Sequence, residues 1–147
     1  MTVLLTGLEA REGLPVVDRR LLRSRAVRVL RELSQARSEL SIALVDDDTI
    51  AGLNQRYRGV SGPTDVLAFS QREGAHPERG GNLLGDVVIS VETAARQARA
   101  AHRAFDAVMA RLLVHGILHL LGYDHQADAE ARRMRAQERR LCRTILA

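Results

Sequence analysis

The sequence FDAVMARLLVHGILHLLGYDH, residues 105–125, contains the pattern that decides the fold and the site. Three of the chain's five histidines lie in its second half, in the order H-x3-H-x2-G-x2-H. Residues four apart share one face of a helix, so His115 and His119 can point toward a common centre. Gly122 is where such a helix would end, because glycine adopts the left-handed conformation freely. The chain can then turn and bring His125 toward the first two.

Three imidazoles that converge on one point are typical of a zinc site with an open coordination position, and an open position indicates catalysis. We therefore predict that His115, His119 and His125 bind one zinc ion per chain, and that His115 and His119 also serve catalysis. Two alternatives are a hydrogen-bonded histidine pair in the core and a structural zinc with Cys142 as the fourth ligand. Asp124 precedes the third histidine and is predicted to orient a ligand.

The spacing also matches the peptidase pattern H-E-x-x-H-x-x-G-x-x-H except at one position. Those enzymes have a glutamate general base where this chain has Gly116. A peptidase needs that carboxylate to accept a proton from water at the metal. Peptide hydrolysis is therefore not expected.

Composition narrows the class of protein further. The 147 residues are 46% hydrophobic and 27% charged, which is typical of a globular protein, and we predict a single domain over residues 1–147. No signal peptide or membrane span is expected, and the single cysteine fits a reducing, cytoplasmic location. All 22 basic residues are arginine, which excludes lysine Schiff-base chemistry and a Walker phosphate loop. Seven arginines in residues 18–37 modestly favour RNA or an acidic protein as partner.

Hydrophobic periodicity predicts an α+β fold. Strands are expected at 2–6, 40–45, 64–70 and 85–90, and helices at 18–33, 49–57, 91–101, 105–121 and 127–146. The prediction is a small mixed sheet of about four strands packed with about five helices, with the zinc site at the end of the central apolar helix. The acidic residues 46–48 are interpreted as a helix cap with solvated charge rather than a metal site.

Four blocks of the sequence together resemble the YbeY family of bacterial metal-dependent endoribonucleases. The histidine stretch resembles that family's H-G-x-L-H-L-x-G-Y-D-H signature. Three shorter blocks follow the family's order: LNQRYRG at 53–59, PTDVLAF at 63–69 and GDVVIS at 85–90. The chain differs from the family's pattern at Ala68, where serine is usual, and at 60–62, where many members have a charged loop. The second difference leaves fewer cations beside the site.

The resemblance implies a zinc-dependent, single-strand-specific endoribonuclease in ribosomal RNA processing, notably at the 3′ end of the small-subunit RNA, and in ribosome quality control. It implies a zinc held by His115, His119 and His125, and a functional arginine at Arg58. That arginine could clamp the scissile phosphate, or simply stabilise the end of a helix. Asp65 is predicted to position substrate. The implied partners are single-stranded ribosomal RNA and small-subunit ribosomal proteins or assembly factors, with no DNA or membrane.

A non-catalytic ribosome assembly factor stabilised by zinc is the alternative function. The open set of three histidines argues against it, and the lack of an identifiable general base argues for it. The sequence also leaves two nucleophiles open, a water molecule and the 2′-hydroxyl of the RNA itself.

Overall fold

The computed structural model describes residues 2–71, 82–124 and 126–146. Its centre is a sheet of four strands: β1 (Thr2–Gly7), β2 (Glu39–Val45), β3 (Val66–Ser70) and β4 (Leu83–Ser90), in the spatial order β1-β2-β4-β3. β1, β2 and β4 run parallel, and β3 pairs antiparallel with β4 at one edge. The sheet is therefore mixed, as predicted.

Five helices lie in the described residues: α1 (Arg19–Glu32), α2 (Asp47–Arg58), α3 (Val91–Ala101), α4 (Phe105–Leu120) and α5 (Asp128–Leu146). The predicted α+β class is confirmed. None of these helices is both long and apolar enough to cross a bilayer.

Several boundaries differ from the predicted ones by one or two residues, and two of these differences have local reasons. α2 begins two residues earlier, because the Asp46 carboxylate accepts a hydrogen bond from the Thr49 N–H (2.9 Å) and caps the helix. β3 begins at Val66 rather than at Thr64. Before it, the chain bends at Asp65, whose carboxylate accepts a hydrogen bond from the Val66 N–H (2.8 Å).

The two faces of the sheet carry cores of different size. In β4, Val87 and Ile89 face the main core, whereas Val88 faces the opposite side, as the alternation of a strand requires. The main core contains buried residues of α1, α3, α4 and α5. On the other side, Ile50 of α2 packs with Leu67 and Val88 in a small cluster. The sheet thus lies between a large helical layer and the single helix α2.

Gly116 sets the distance between α4 and the sheet. A Cβ atom at this position would lie 2.6 Å from Cγ1 of Val87 and 3.3 Å from Cγ2 of Val66. Only glycine therefore lets α4 approach β3 and β4 this closely. This approach brings His115 and His119 to the edge of the sheet formed by β3.

Candidate metal site and cleft

The last two turns of α4 carry His115 and His119 on one side. Their Nε2 atoms are 3.1 Å apart, and the ring planes are inclined by 67°. Two nitrogens bound to one tetrahedral zinc ion at the usual bond length would lie about 3.3 Å apart. The separation of the two Nε2 atoms is compatible with one shared metal ion, and metal binding by the pair stays a prediction.

α4 ends close to where the sequence predicted. Its last residue is Leu120, and Gly122 has a φ of +94°, a value that favours glycine. The Gly122 N–H donates to the His119 carbonyl at 3.0 Å. His125, the third predicted ligand, lies outside the described residues, so its part in the site stays a prediction. Within the described ranges, no three side chains of His, Cys, Asp or Glu form a metal-binding group.

Glu138 of α5 is a site residue that the sequence analysis missed. Its carboxylate contacts Nδ1 of His115, and the two side chains are 17% and 24% exposed. A carboxylate oxygen accepts hydrogen bonds, so the proton of His115 belongs on Nδ1. The lone pair of Nε2 then lies on the side of His119, where a metal held by both rings would bind.

The sequence did contain a signal for Glu138. α5 buries Met134, Leu141 and Ile145, which recur at helical spacing, and Glu138 lies on the same stripe. A carboxylate in an apolar stripe needs a partner. Glu138 makes the contact with Nδ1 of His115, and the orienting role predicted for Asp124 stays a prediction.

A cleft of about 740 Å³ lies beside the histidine pair. It follows β3, the edge strand, whose residues line it together with Thr64 and Asp65. The other lining residues come from the end of α2, from α4 and from the segment after α4: Tyr57, Arg58, His115, Gly116, His119, Asp124 and Gln126. The cleft therefore joins three of the four sequence blocks that resemble the family.

Arg58 reaches this cleft from the last turn of α2, which ends at Gly59 in the left-handed conformation (φ +66°). The side chain is exposed. Among the described residues it has no carboxylate partner, unlike Arg11, Arg96 and Arg140. The structure thus brings Arg58 and the two histidines into one cleft, with a guanidinium that is available to an anion.

Asp65 also lines the cleft, but its polar atoms hold the surrounding structure together. One carboxylate oxygen accepts from the Val66 N–H, and the other accepts from Nε2 of Gln97 at 3.0 Å. Its carbonyl accepts from the Ser90 N–H at 2.9 Å. These contacts fix the start of β3 against α3, and the predicted positioning of substrate stays a prediction.

The acidic residues 46–48 are not among the residues that line the cleft. One of the three does cap α2, as predicted, and the structure shows that it is Asp46, whereas Asp47 is not a solvated charge. Its carboxylate accepts hydrogen bonds from Ser90 (2.7 Å), Thr93 (2.6 Å) and Arg96 (2.7 Å). Burial alone would raise the pKa of Asp47, but the hydrogen bonds from Arg96, Thr93 and Ser90 outweigh it and lower that pKa.

Cys142, the alternative fourth ligand, is half-buried one helical turn beyond Glu138. Burial, and to a smaller extent the negative charge of Glu138, raises the pKa of its thiol. A protonated thiol is a poor ligand, because metals bind the thiolate. Cys142 is not among the residues that line the cleft beside the histidine pair, and a zinc site closed by it stays an untested alternative.

Known proteins are similar to this chain over most of its length, including the residues of the histidine pair and the cleft. The model of the family described as "Endoribonuclease YbeY" matches residues 15–145. A curated relative of that name from Anaeromyxobacter sp. (strain Fw109-5) is 52% identical over 124 residues, which are 84% of this chain and 63% of that protein. One from Pelotomaculum thermopropionicum is 44% identical over 142 residues, covering 94% of this chain and 93% of that protein.

A solved structure supports the fold. The solution structure of a Thermotoga maritima protein matches with a TM-score of 0.64 at 23% identity, over 97% of this chain and 88% of that one. The family match and the structure match both include the region that contains the histidine pair and the cleft. The chain belongs to the YbeY family, whose members are described as endoribonucleases. It spans less than two thirds of the Anaeromyxobacter relative, at 63% of its length.

Proposed function

We propose that this chain is a zinc-dependent endoribonuclease that cuts single-stranded RNA in the cytoplasm. Its role would lie in ribosomal RNA processing, at the 3′ end of the small-subunit RNA, and in ribosome quality control with small-subunit proteins or assembly factors. One observation carries the proposal: the cleft that contains the His115–His119 pair also contains the exposed Arg58. Family membership supports RNA as the substrate.

The histidines would hold the metal. His115 and His119 offer nitrogens at a suitable separation, and His125 follows them in the sequence as the third ligand. Zinc bound there would supply a Lewis acid for the phosphoryl group and lower the pKa of a water molecule. Glu138 would hold the His115 proton on Nδ1, so that Nε2 of the same ring faces the ligand position. Glu138 is not a cleft-lining residue, so it acts on His115 and not on RNA.

Arg58 would bind the scissile phosphate. Its planar guanidinium can donate two parallel hydrogen bonds to phosphate oxygens, and its charge offsets the negative charge that grows during cleavage. Since Arg58 lies at the end of a helix, its charge also stabilises that helix terminus. The experiment must therefore separate these two effects.

Arg99 provides the matched control, because it is also exposed and also lies in the last turn of a helix, α3, but not in the cleft. Arg58→Ala should lower the rate of cleavage of a single-stranded RNA by about 10²–10³-fold, with zinc content and unfolding midpoint retained. Arg99→Ala should leave the rate near wild type. Equal effects of the two variants would show that Arg58 acts only on its helix.

His115→Ala tests the metal. We expect loss of bound zinc and of cleavage together, measured by metal analysis and by gel assay of the same preparations. Cleavage that survives in His115→Ala would identify a contaminating nuclease. If pure wild type leaves RNA uncut while His115→Ala unfolds, the zinc-stabilised assembly factor is the correct function.

The ends of the products identify the nucleophile. A 2′,3′-cyclic phosphate would show attack by the 2′-hydroxyl of the RNA. A 5′-phosphate with a free 3′-hydroxyl would show attack by water.

A further inference from the structure

Tyr57 is an exposed aromatic ring inside the cleft. The chain has two tyrosines, two phenylalanines and no tryptophan. Tyr57 is 58% exposed, whereas Phe69, Phe105 and Tyr123 are at least partly buried. It lines the cleft directly beside Arg58. Neither the metal site nor the phosphate contact uses this ring.

The packing of α2 explains how the ring is held. Ile50 and Leu53 of α2 pack on the outer face of the sheet, and Tyr57 continues this stripe by one turn. At that point its ring meets Phe69 of β3 edge to face, with centroids 5.3 Å apart and planes inclined by 65°. The helix and the edge strand thus fix the ring at the cleft while more than half of the residue stays accessible.

The charges around Tyr57 indicate an anionic ligand. Arg56 and Arg58 flank it in the sequence, and the guanidinium carbon of Arg56 lies 5.4 Å from the ring centroid. An apolar partner protein would have to bury these charges or leave them at its rim. A nucleotide offers a flat base for the ring and a phosphate for an arginine, so it matches both features.

We propose that Tyr57 is a nucleobase subsite, on which one unpaired base of the RNA stacks while the neighbouring phosphate contacts Arg58. The inference rests on the proposed function and adds a physical reason for single-strand specificity. In a duplex both faces of a base are covered by its neighbours, so no base is free to stack on the ring. Every base has a π-face, so the subsite selects unpaired RNA without selecting sequence.

Kinetics of two variants test the subsite. Tyr57→Leu removes the ring but keeps an apolar contact for Phe69, and Tyr57→Phe is the matched control that keeps the ring. On a single-stranded RNA, Tyr57→Leu should raise KM about tenfold with kcat within about twofold of wild type. Tyr57→Phe should match wild type. An unchanged KM in Tyr57→Leu, or equal losses in both variants, would overturn the proposal.

Abasic substrates locate the base without any mutation. A series of short RNAs, each lacking one base but keeping every phosphate, should contain one position at which wild-type binding weakens about tenfold. In Tyr57→Leu that position should have no further effect. If wild type binds all members of the series equally, no base-stacking subsite exists.

Tyrosine fluorescence reports stacking independently of cleavage. Because the chain has no tryptophan and two tyrosines, its emission comes from Tyr57 and Tyr123. A 2′-O-methyl RNA, shown by gel to stay intact during the measurement, should quench part of the wild-type emission and none of it in Tyr57→Leu. Quenching without any RNA cleavage by wild type would keep the subsite and contradict the proposed enzyme. RNA cleavage by wild type with unaltered tyrosine emission would support the proposed enzyme and contradict the base-stacking subsite.

Discussion

Two helices reach the cleft from opposite faces of the sheet, and they are held there by different forces. α4, which carries the histidine pair, is buried along most of its length, from Val108 to Leu120. α2, which carries Tyr57 and Arg58, buries only Ile50 and Asn54. The metal side of the cleft is therefore part of the main core, whereas the opposite side rests on a helix with little apolar contact.

Polar contacts compensate for the small apolar surface of α2. At its start, Asp47 accepts three hydrogen bonds from residues at the end of β4 and in α3. Near its end, Nδ2 of the buried Asn54 donates to the Gly62 carbonyl at 3.0 Å. Substitutions in the buried face of α4 should therefore destabilise the whole protein. Substitutions at the ends of α2 should change the positions of Arg58 and Tyr57 more than those of the histidine pair.

The largest effect is expected from a change at the contact between α4 and the sheet. Gly116→Ala would place a Cβ atom 2.6 Å from Cγ1 of Val87. Overpacking of this kind destabilises a core by about 1–3 kcal/mol, which urea unfolding can measure. The double variant with Val87→Ala should regain most of the loss. A Gly116→Ala variant as stable as wild type would show that α4 is not held by close packing.

Gly116→Glu would introduce the carboxylate of the zinc peptidases at the position where the sequence lacks it. Because the new side chain would enter the contact with Val87 and Val66, we expect the variant not to fold rather than to gain peptidase activity. A folded Gly116→Glu protein that cleaves peptides would contradict this account of the glycine.

The next largest effect is expected on zinc affinity and not on the stability of the fold. Glu138→Gln should lower zinc affinity by about 10–100-fold, because an amide can donate to Nδ1 of His115 and favour the wrong tautomer. Glu130→Gln is the matched control, since Glu130 is exposed on the same helix. Competition with a chelator measures both affinities. Equal affinities would show that the contact between Glu138 and His115 does not orient the ligand.

Asp47→Asn should weaken the start of α2. Hydrogen bonds to a charged group contribute about 2 kcal/mol, and their loss should appear in urea unfolding near neutral pH. Because the pKa of Asp47 is lowered on folding, its contribution is complete above the ordinary pKa of aspartate and is lost as pH falls through the lowered value. The difference between wild type and variant should therefore shrink in acid.

The neighbouring Asp48 is exposed and provides the control for Asp47. Asp48→Asn should leave both the stability and its pH dependence near wild type. If the loss in Asp47→Asn were the same at all pH values, the carboxylate charge would not be the cause.

The sequence predicted those parts of the molecule that depend on local spacing. The histidine pair, the glycine after α4 and an acidic cap for α2 each follow from residues within one or two helical turns. Glu138 was missed because the spacing within α5 does not reveal which residue of α4 it faces. Asp47 was taken for solvated charge because its partners, Ser90, Thr93 and Arg96, lie far along the chain and become neighbours only in the sheet.

The smallest effect is also the sharpest test of the contrast between α2 and α4. Gly52 lies inside α2, is exposed, and a Cβ atom there would meet nothing within 4 Å. Gly52→Ala should stabilise the protein by up to about 1 kcal/mol, because alanine loses less conformational freedom in a helix. The same substitution should thus raise the free energy of unfolding in α2 and lower it in α4. If both variants lost stability, α2 would be packed as closely as α4, and the side of the cleft with Tyr57 and Arg58 would not depend mainly on polar contacts.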